Sequence, residues 1–208
     1  MLIRQSVLTV LLLLLCTAAT ASPTTELVER LDQIKSLSGD FQQSVLDKGG
    51  TRLQEASGTM KMQRGNRFRW HTLLPFEQLV VSDGTTVWVY DVDLLQVVEK
   101  PLDENSASTP ALLFGGDPEE VSEVFIVEQG EARGGEQSFI LTPRSEEAMF
   151  VELEMTFRDK SPISMRLEDA LGQQTVLTFS DVRINRKLAG DAFTFVAPPD
   201  ADVIRQQE

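Results

Sequence analysis

Short runs in which apolar and polar residues alternate fill most of this chain. Between Val151 and Phe157 an apolar residue occupies every second position, with glutamate or threonine between. Side chains two residues apart lie on the same face of a β-strand, so each run predicts a strand with one buried and one solvent-exposed face. About eleven such runs occur, at residues 41–46, 52–63, 67–71, 78–81, 86–90, 94–98, 124–128, 138–142, 151–157, 163–168 and 175–184.

Turn segments rich in glycine, aspartate and proline separate these runs. They lie at 47–50, 83–84, 134–135, 159–162 and 171–172. Links this short join antiparallel neighbours. The pattern therefore predicts an antiparallel meander with one face buried against a core. A sheet this wide has to curl, split into two packed sheets or close into a barrel to hide that face.

One amphipathic helix precedes the strands. Leu27, Leu31, Ile34 and Leu37 form a single apolar stripe at helical spacing, and Gly39 is expected to end the helix. A weaker helical segment covers 109–114, and a short helix is expected to start at 117–120. So few helices cannot cover a flat sheet. Two solutions stay open: a curled sheet with these helices laid across its mouth, which we call the lid, or a closed barrel of the lipocalin type.

The first residues are typical of an export signal. Arg4 is followed by a nine-residue apolar run at 7–15 and by small residues at 19–21, where a signal peptidase would cut. We therefore expect residues 1–21 to be removed and residues 22–208 to form one domain. A lipid anchor on Cys16 is the alternative, but lipidation needs a small residue before the cysteine, and Leu15 occupies that position.

The chain is strongly acidic, with 32 Asp+Glu against 19 Lys+Arg and a net charge of −13. Removing residues 1–21 takes away one arginine and the only cysteine, so the mature chain would carry about −14 and could form no internal disulfide. An acidic balance of this size argues against nucleic acid and anionic lipid surfaces as partners. It is equally explained as a surface that keeps an exported protein in solution.

Large apolar side chains at strand spacing are candidates for the lining of a cavity. Arg64 follows one such row at its end, where its guanidinium could hold a lid or could simply reach water. Methionine adapts to irregular apolar ligands, but such rows are also typical of an ordinary core. The candidate lining residues are Met60, Met62, Phe68, Trp70, Leu79, Val81, Trp88, Tyr90, Leu153, Met155 and Met165.

A cavity that binds a long apolar chain reversibly needs something to displace. Burial of one chain of about 14 methylenes contributes on the order of 11 kcal/mol, and several chains would exceed the ceiling for reversible binding. We therefore expect apolar lid residues to fill the empty cavity, so that cargo exchanges one apolar contact for another. These residues are Leu27, Leu31, Ile34, Leu112, Leu113 and Phe114.

The sequence offers little for catalysis or metal binding. His71 is the only histidine, and by strand parity it shares the outward face with Arg67 and Arg69. No Gly-x-Ser-x-Gly motif and no His/Cys/Asp cluster with metal-ligand spacing occurs. We expect no enzyme activity, no cofactor and no metal site.

A set of short motifs resembles the LolA family of periplasmic lipoprotein carriers. No single motif is specific, but they occur in the family's order across nearly the whole mature chain. They are Phe41-Gln42-Gln43, Gly58, Arg64, Phe68-Arg69-Trp70, Pro75, Val81-Ser82-Asp83-Gly84, Val87-Trp88-Val89-Tyr90-Asp91, Gln96-Val97, Thr109-Pro110, Phe193-Thr194-Phe195 and Pro198-Pro199.

The resemblance implies a half-closed antiparallel barrel with a helical lid over an apolar cavity. It also implies that lipid-modified proteins are received from an ATP-driven transporter of the inner membrane and passed to a receptor at the outer membrane. Arg64 matches the family's arginine that bonds to the closed lid, although Gly65 stands where the family usually has proline. We expect a monomer.

Two other classes share this scaffold. The outer-membrane receptor needs a lipid-modified N-terminal cysteine, for which 15–16 is a poor site. A periplasmic lipid-sensing regulatory domain is the second alternative. Bound lipoproteins would favour the carrier, and a bound signalling protein would favour the sensor.

Overall fold

The computed structural model describes residues 21–102, 110–132, 134–146, 148 and 150–206, and only the backbone of residues 110–112. The expected signal peptide falls outside these residues, except for Ala21. None of the described helices is long and apolar enough to cross a membrane. The helices are α1 (Pro23–Asp32), α2 (Pro110–Gly115) and α3 (Glu120–Val124). The strands are β1 (Ser36–Leu46), β2 (Arg52–Gln63), β3 (Arg67–Leu74), β4 (Gln78–Asp83), β5 (Thr86–Asp91), β6 (Gln96–Pro101), β7 (Phe125–Gln129), β8 (Glu136–Pro143), β9 (Glu152–Arg158), β10 (Ser161–Glu168), β11 (Gln174–Ile184) and β12 (Asp202–Arg205).

The strands form one 12-stranded sheet in the order β12-β6-β5-β4-β3-β2-β1-β11-β10-β9-β8-β7. Neighbours are antiparallel, except that β12 runs parallel to β6. Among the described residues β12 and β7 remain the two edges, so the sheet is open and is not a closed lipocalin-type barrel. The expected half-closed, mainly β architecture is confirmed. The sequence did not predict β12, which is only four residues long.

The apolar side of the sheet, which we call the concave face, forms one continuous layer. Leu37 pairs with Met62 and Met62 with Phe68, so these three side chains form a row across β1, β2 and β3. Met60 and Trp70 form the next row. The layer continues into the other half of the sheet through Leu141, Leu153, Met155, Met165, Leu177 and Phe179.

Helix α1 begins at a capped N-terminus. Ser22 accepts a hydrogen bond from the Thr25 amide at 3.2 Å, and Pro23 occupies the first helical position, where its missing N–H costs nothing. Glu26 in the first turn and Arg30 in the last turn both complement the helix dipole. Local sequence therefore explains the start of this helix.

The end of α1 differs from the prediction. The helix stops at Asp32, and Leu37 belongs to β1, so the expected helix through Leu37 with an end at Gly39 is wrong. Asn185 causes the change, because its side chain accepts from the amides of Lys35 and Ser36 and donates to the carbonyl of Gln33 at 2.7 Å. This distant side chain satisfies the helix end and starts the strand, which no local pattern could show.

Gly58 permits close packing of aromatic rings on the concave face. A Cβ at this position would lie 1.9 Å from the carbonyl oxygen of His71 and 2.9 Å from the ring of Phe41. Phe41 instead extends over the glycine and stacks on Trp70, with ring centroids 4.0 Å apart. The glycine therefore sets the shape of the concave face between β1 and β3.

Candidate functional site

The lid consists of α1, α2 and α3, which lie over the concave face. Leu27 and Leu31 of α1, Ile34 just after it, and Leu113 and Phe114 of α2 are all buried in the same apolar cluster as the sheet residues. Phe114 meets Phe179 of β11 edge to face, with centroids 6.2 Å apart. The underside of the lid and the concave face thus cover each other.

Arg64 joins the lid to the sheet. It follows the last residue of β2, and its backbone amide donates to the carbonyl of Lys35 at 3.1 Å. Its Nη2 donates to the carbonyl of Leu31 in α1, and its Nη1 donates to the carbonyl of Gly116 directly after α2. These two bonds, which we call the latch, hold both helical segments from one guanidinium.

The turn that carries Arg64, residues 64–67, is itself fastened. Gly65 has a φ of +84° and Asn66 a φ of +56°, values that proline cannot adopt, so this chain builds the turn differently from one with proline there. The Asn66 amide donates to the Gly115 carbonyl at 3.0 Å. A backbone bond therefore adds a second link between this turn and α2.

The latch is a charged group held by neutral partners. Burial lowers the pKa of Arg64, and the charges of Asp32 and Asp117 act in the opposite direction. The Nε atom of Arg64 is buried without a hydrogen-bond partner. Because the guanidinium is incompletely satisfied in the closed lid and would be fully hydrated outside it, opening the latch costs less than it would for a fully satisfied buried arginine.

Arg30 fastens α1 from the other side. Its Nη1 donates to the carbonyl of Asp159 at 2.5 Å, and its Nη2 donates to Gln137 and, at 3.1 Å, to Glu26. The guanidinium carbon also lies 5.7 Å and 5.8 Å from the ring centroids of Phe139 and Phe157. Helix α1 is thus held by Arg64 at one side of the sheet and through Arg30 at the other.

The sequence patterns did not single out Arg30. A signal was present: Arg30 is three residues after Leu27 and four before Ile34, so it borders the apolar stripe. Its partners on β8 and in the turn after β9 are more than 100 residues away, so only the structure identifies them.

Seven of the eleven candidate lining residues lie on the concave face, according to the strand register and the shared apolar cluster. Trp70 is partly buried there, and the other six are buried. The residues are Met60, Met62, Phe68, Trp70, Leu153, Met155 and Met165. Their contact with acyl chains stays a proposal.

The other four candidates, Leu79, Val81, Trp88 and Tyr90, lie on the opposite, convex face, so their assignment to the cavity is corrected. Val80 pairs with Trp70 and Val89 with Val80, which places their sequence neighbours on the other side of the sheet. Phe195 packs against two of them, with ring centroids 6.0 Å from Trp88 and 6.1 Å from Tyr90. The C-terminal segment thus makes a second, smaller apolar layer behind the sheet.

Two other predictions concern the lid and the histidine. The side chain of Leu112 lies outside the described residues. His71 is on the convex face as expected, where its Nε2 lies 2.8 Å from Glu77 Oε1. The described residues contain no group of three or more His, Cys, Asp or Glu side chains that could hold a metal ion.

Comparison with known proteins now identifies the family. The model of the family described as outer membrane lipoprotein carrier protein LolA matches residues 32–196. The chain belongs to the LolA family. The match includes Arg64 and strands β1 to β11 but begins two residues after Arg30, and it confirms the resemblance seen in the sequence motifs.

Relatives of this LolA-family chain extend over nearly its full length. It is 48% identical over 185 residues to the outer-membrane lipoprotein carrier protein of Alcanivorax borkumensis, covering 89% of this chain and 88% of the relative. It is 44% identical over 180 residues to the protein of the same name from Azotobacter vinelandii, covering 86% of each.

A solved structure shares the fold of this LolA-family chain. An uncharacterized conserved protein from Thermus thermophilus matches 88% of this chain and 98% of its own, with a TM-score of 0.56 at 17% identity. At this identity the likeness concerns the architecture alone.

Proposed function

We propose that this chain is a periplasmic carrier that binds the acyl chains of lipid-modified proteins between its concave face and its lid. It receives them from an ATP-driven transporter of the inner membrane and passes them to a receptor at the outer membrane. Residues 1–21 direct export and are removed. The carrier works as a monomer, without a cofactor and without a chemical step.

The observation that carries this proposal is the latch over an apolar layer. The side chains that face each other across the lid boundary, such as Leu31, Phe114 and Met155, are apolar and buried. The polar bonds that Arg64 makes to the lid end on two carbonyl oxygens, those of Leu31 and Gly116. The polar bonds of Arg64 lie at the margin of the lid, and the underside of the lid is apolar. Such a lid is suited to open for an apolar ligand.

Magnitudes support a reversible exchange. Two hydrogen bonds from a charged donor contribute about 3–6 kcal/mol together. One acyl chain of about 14 methylenes offers on the order of 11 kcal/mol on burial. Cargo can therefore displace the latch, and the reclosing lid offsets part of the binding energy when cargo leaves.

The relatives support the carrier over the alternative of a lipid-sensing regulatory domain. The two reported above share 44–48% identity with this chain and are named as carriers. No described feature of the chain specifically favours the sensor.

Release of lipoprotein from the inner membrane tests the proposal. Inner-membrane vesicles containing a radiolabelled lipoprotein and its transporter are incubated with ATP, with and without the mature chain. We expect soluble one-to-one complexes only when the chain is present. Failure of the chain to release lipoprotein, with the vesicles active toward another LolA-family carrier, would contradict the proposal.

A further inference from the structure

A polar groove lies on the convex side of the sheet, away from the lid. It has a volume of about 610 Å³ and opens to solvent. Its residues come from three strands and from the segment that follows β11. They are Ser38, Lys61, Arg183, Arg186, Lys187, Leu188 and Ala189.

The wall of the groove is held in place by hydrogen bonds. Asn185 has a φ of +56°, which turns the chain out of the sheet after β11. Its side chain bonds to the amides of Lys35 and Ser36, and the Ser36 hydroxyl donates to the Arg186 carbonyl at 3.0 Å. Residues 185 and 186 are thus fixed beside the start of β1, which positions one wall of the groove.

The groove concentrates positive charge. Ser38 pairs with Lys61 of β2 on one side and with Arg183 of β11 on the other, and Lys61 pairs with Arg69 of β3. Strands are about 4.8 Å apart, so these cations share one short row on the convex face. Arg186 and Lys187 add two more cations from the wall.

These cations have no carboxylate partner among the described residues. Other basic residues of the chain do pair with acids: Arg52 with Glu55, Arg158 with Glu136, and Arg166 with Glu154. The clustering of these cations is notable because carboxylates outnumber basic side chains 32 to 19. Asp40, two residues along β1 from Ser38, forms no ion pair with the row.

We propose that this cationic groove binds an extended acidic segment of a protein partner. Arginine forks match carboxylates, and the Ser38 hydroxyl and the apolar side chain of Leu188 can contact the backbone and side chains of such a segment. At physiological ionic strength, exposed charges more than about 8 Å apart are largely screened from each other. A segment inside the groove therefore interacts mainly with the cations around it. A flat anionic bilayer would also meet the acidic remainder of the surface, so a peptide segment fits better than a membrane.

The position of the groove suits a partner that meets the carrier during cargo exchange. Lys61 is on the convex face three residues before Arg64, and Lys35 contacts both the Arg64 amide and the Asn185 side chain. A segment bound here would sit behind the strand that carries the latch and leave the concave face free.

Binding of a defined peptide tests the groove. A fluorescent peptide with six consecutive glutamates and its glutamine counterpart are titrated against the mature chain at low and high salt, with anisotropy as the readout. We expect the glutamate peptide to bind, the glutamine peptide not to bind, and salt to weaken the complex. The double variant Lys61→Gln/Arg183→Gln should bind about three- to tenfold more weakly, as expected for two exposed ion pairs.

A matched control separates the groove from net charge. The double variant Arg52→Gln/Arg158→Gln removes the same charge at exposed sites elsewhere and should bind like the wild type. Circular dichroism checks that each variant folds. Phosphatidylglycerol vesicles are titrated in the same way. Each of three results would overturn the proposal: equal weakening in both double variants, no binding of the glutamate peptide, or binding of the vesicles alone. If the glutamate peptide does not bind but lipoprotein release is normal, the groove proposal fails and the carrier function stands.

Discussion

The guanidinium of Arg64 donates to the backbone oxygen of Leu31, so a residue at the end of β2 holds the carbonyl end of α1. The same guanidinium reaches Gly116 after α2. Closure of the lid is therefore coupled to one side chain, and its removal should favour the open lid.

Replacing Arg64 tests the latch directly. Arg64→Leu loses both bonds and should retain cargo more firmly, because the closed empty state that drives release is weakened. Arg64→Lys should be intermediate, since one ammonium cannot match the fork. The measurement is the fraction of labelled lipoprotein passed from each carrier to outer-membrane vesicles.

Arg52→Leu is the control for this experiment, because it removes an exposed arginine that pairs with Glu55 far from the lid. It should deliver like the wild type. Delivery by Arg64→Leu at the wild-type level would show that Arg64 is not a latch.

Arg30 should matter for α1 in particular. Arg30→Met would leave the Asp159 carbonyl and the Gln137 side chain without their donor, which we expect to destabilise the protein by about 2 kcal/mol. Amide hydrogen exchange in Pro23–Asp32 should accelerate more than exchange in the sheet. Arg158→Met, which breaks an exposed pair with Glu136, should change stability by less than about 1 kcal/mol. Unchanged exchange in α1 would refute the fastening role.

Gly58 should not tolerate a methyl group. In Gly58→Ala the new Cβ meets the His71 carbonyl, which forces β2 and β3 apart and should cost about 3 kcal/mol in urea unfolding. Gly190→Ala is the matched control, because nothing lies within 4 Å of a Cβ there and the change should stay within about 0.5 kcal/mol. Similar stability for the two variants would contradict the close packing.

The turn at Asp83 supports the latch and should be sensitive to pH. Gly84 packs so closely on the Gly65 carbonyl that a Cβ would lie 2.5 Å away. Burial raises the pKa of Asp83, but hydrogen bonds from Thr86 and Thr85 outweigh it and lower the pKa overall. Because the pKa of Asp83 is lower in the folded state, its ionised carboxylate stabilises the fold at pH values above the unfolded pKa of about 3.9. This stabilisation is lost as the pH falls through the folded-state pKa.

Asp83→Ala should therefore be less stable than the wild type by about 1 kcal/mol at neutral pH. The difference should shrink as pH falls below about 4. Urea unfolding at several pH values measures it, and a difference that grows toward acid would have the wrong sign.

The sequence predicted the parts of the fold that depend on local periodicity. Strands with one wet face, such as β9 and β10, were recognisable from alternation alone, and Arg64 was recognisable from its place after a row of apolar residues. Residues Leu79 and Val81 were misplaced because β4 is covered on both sides, and a strand buried on both faces loses its alternation. Arg30 and the end of α1 depend on residues more than 100 positions away, so their roles could not be deduced locally.

Photo-crosslinking measures the central claim that acyl chains lie on the concave face. Benzoylphenylalanine is placed at Met155, on the concave face, or at Trp88, on the convex face, and each carrier is loaded with a lipoprotein whose acyl chains are radiolabelled. The account predicts labelled crosslinks from position 155 and none from position 88. Crosslinks from position 88 that equal or exceed those from position 155 would contradict it.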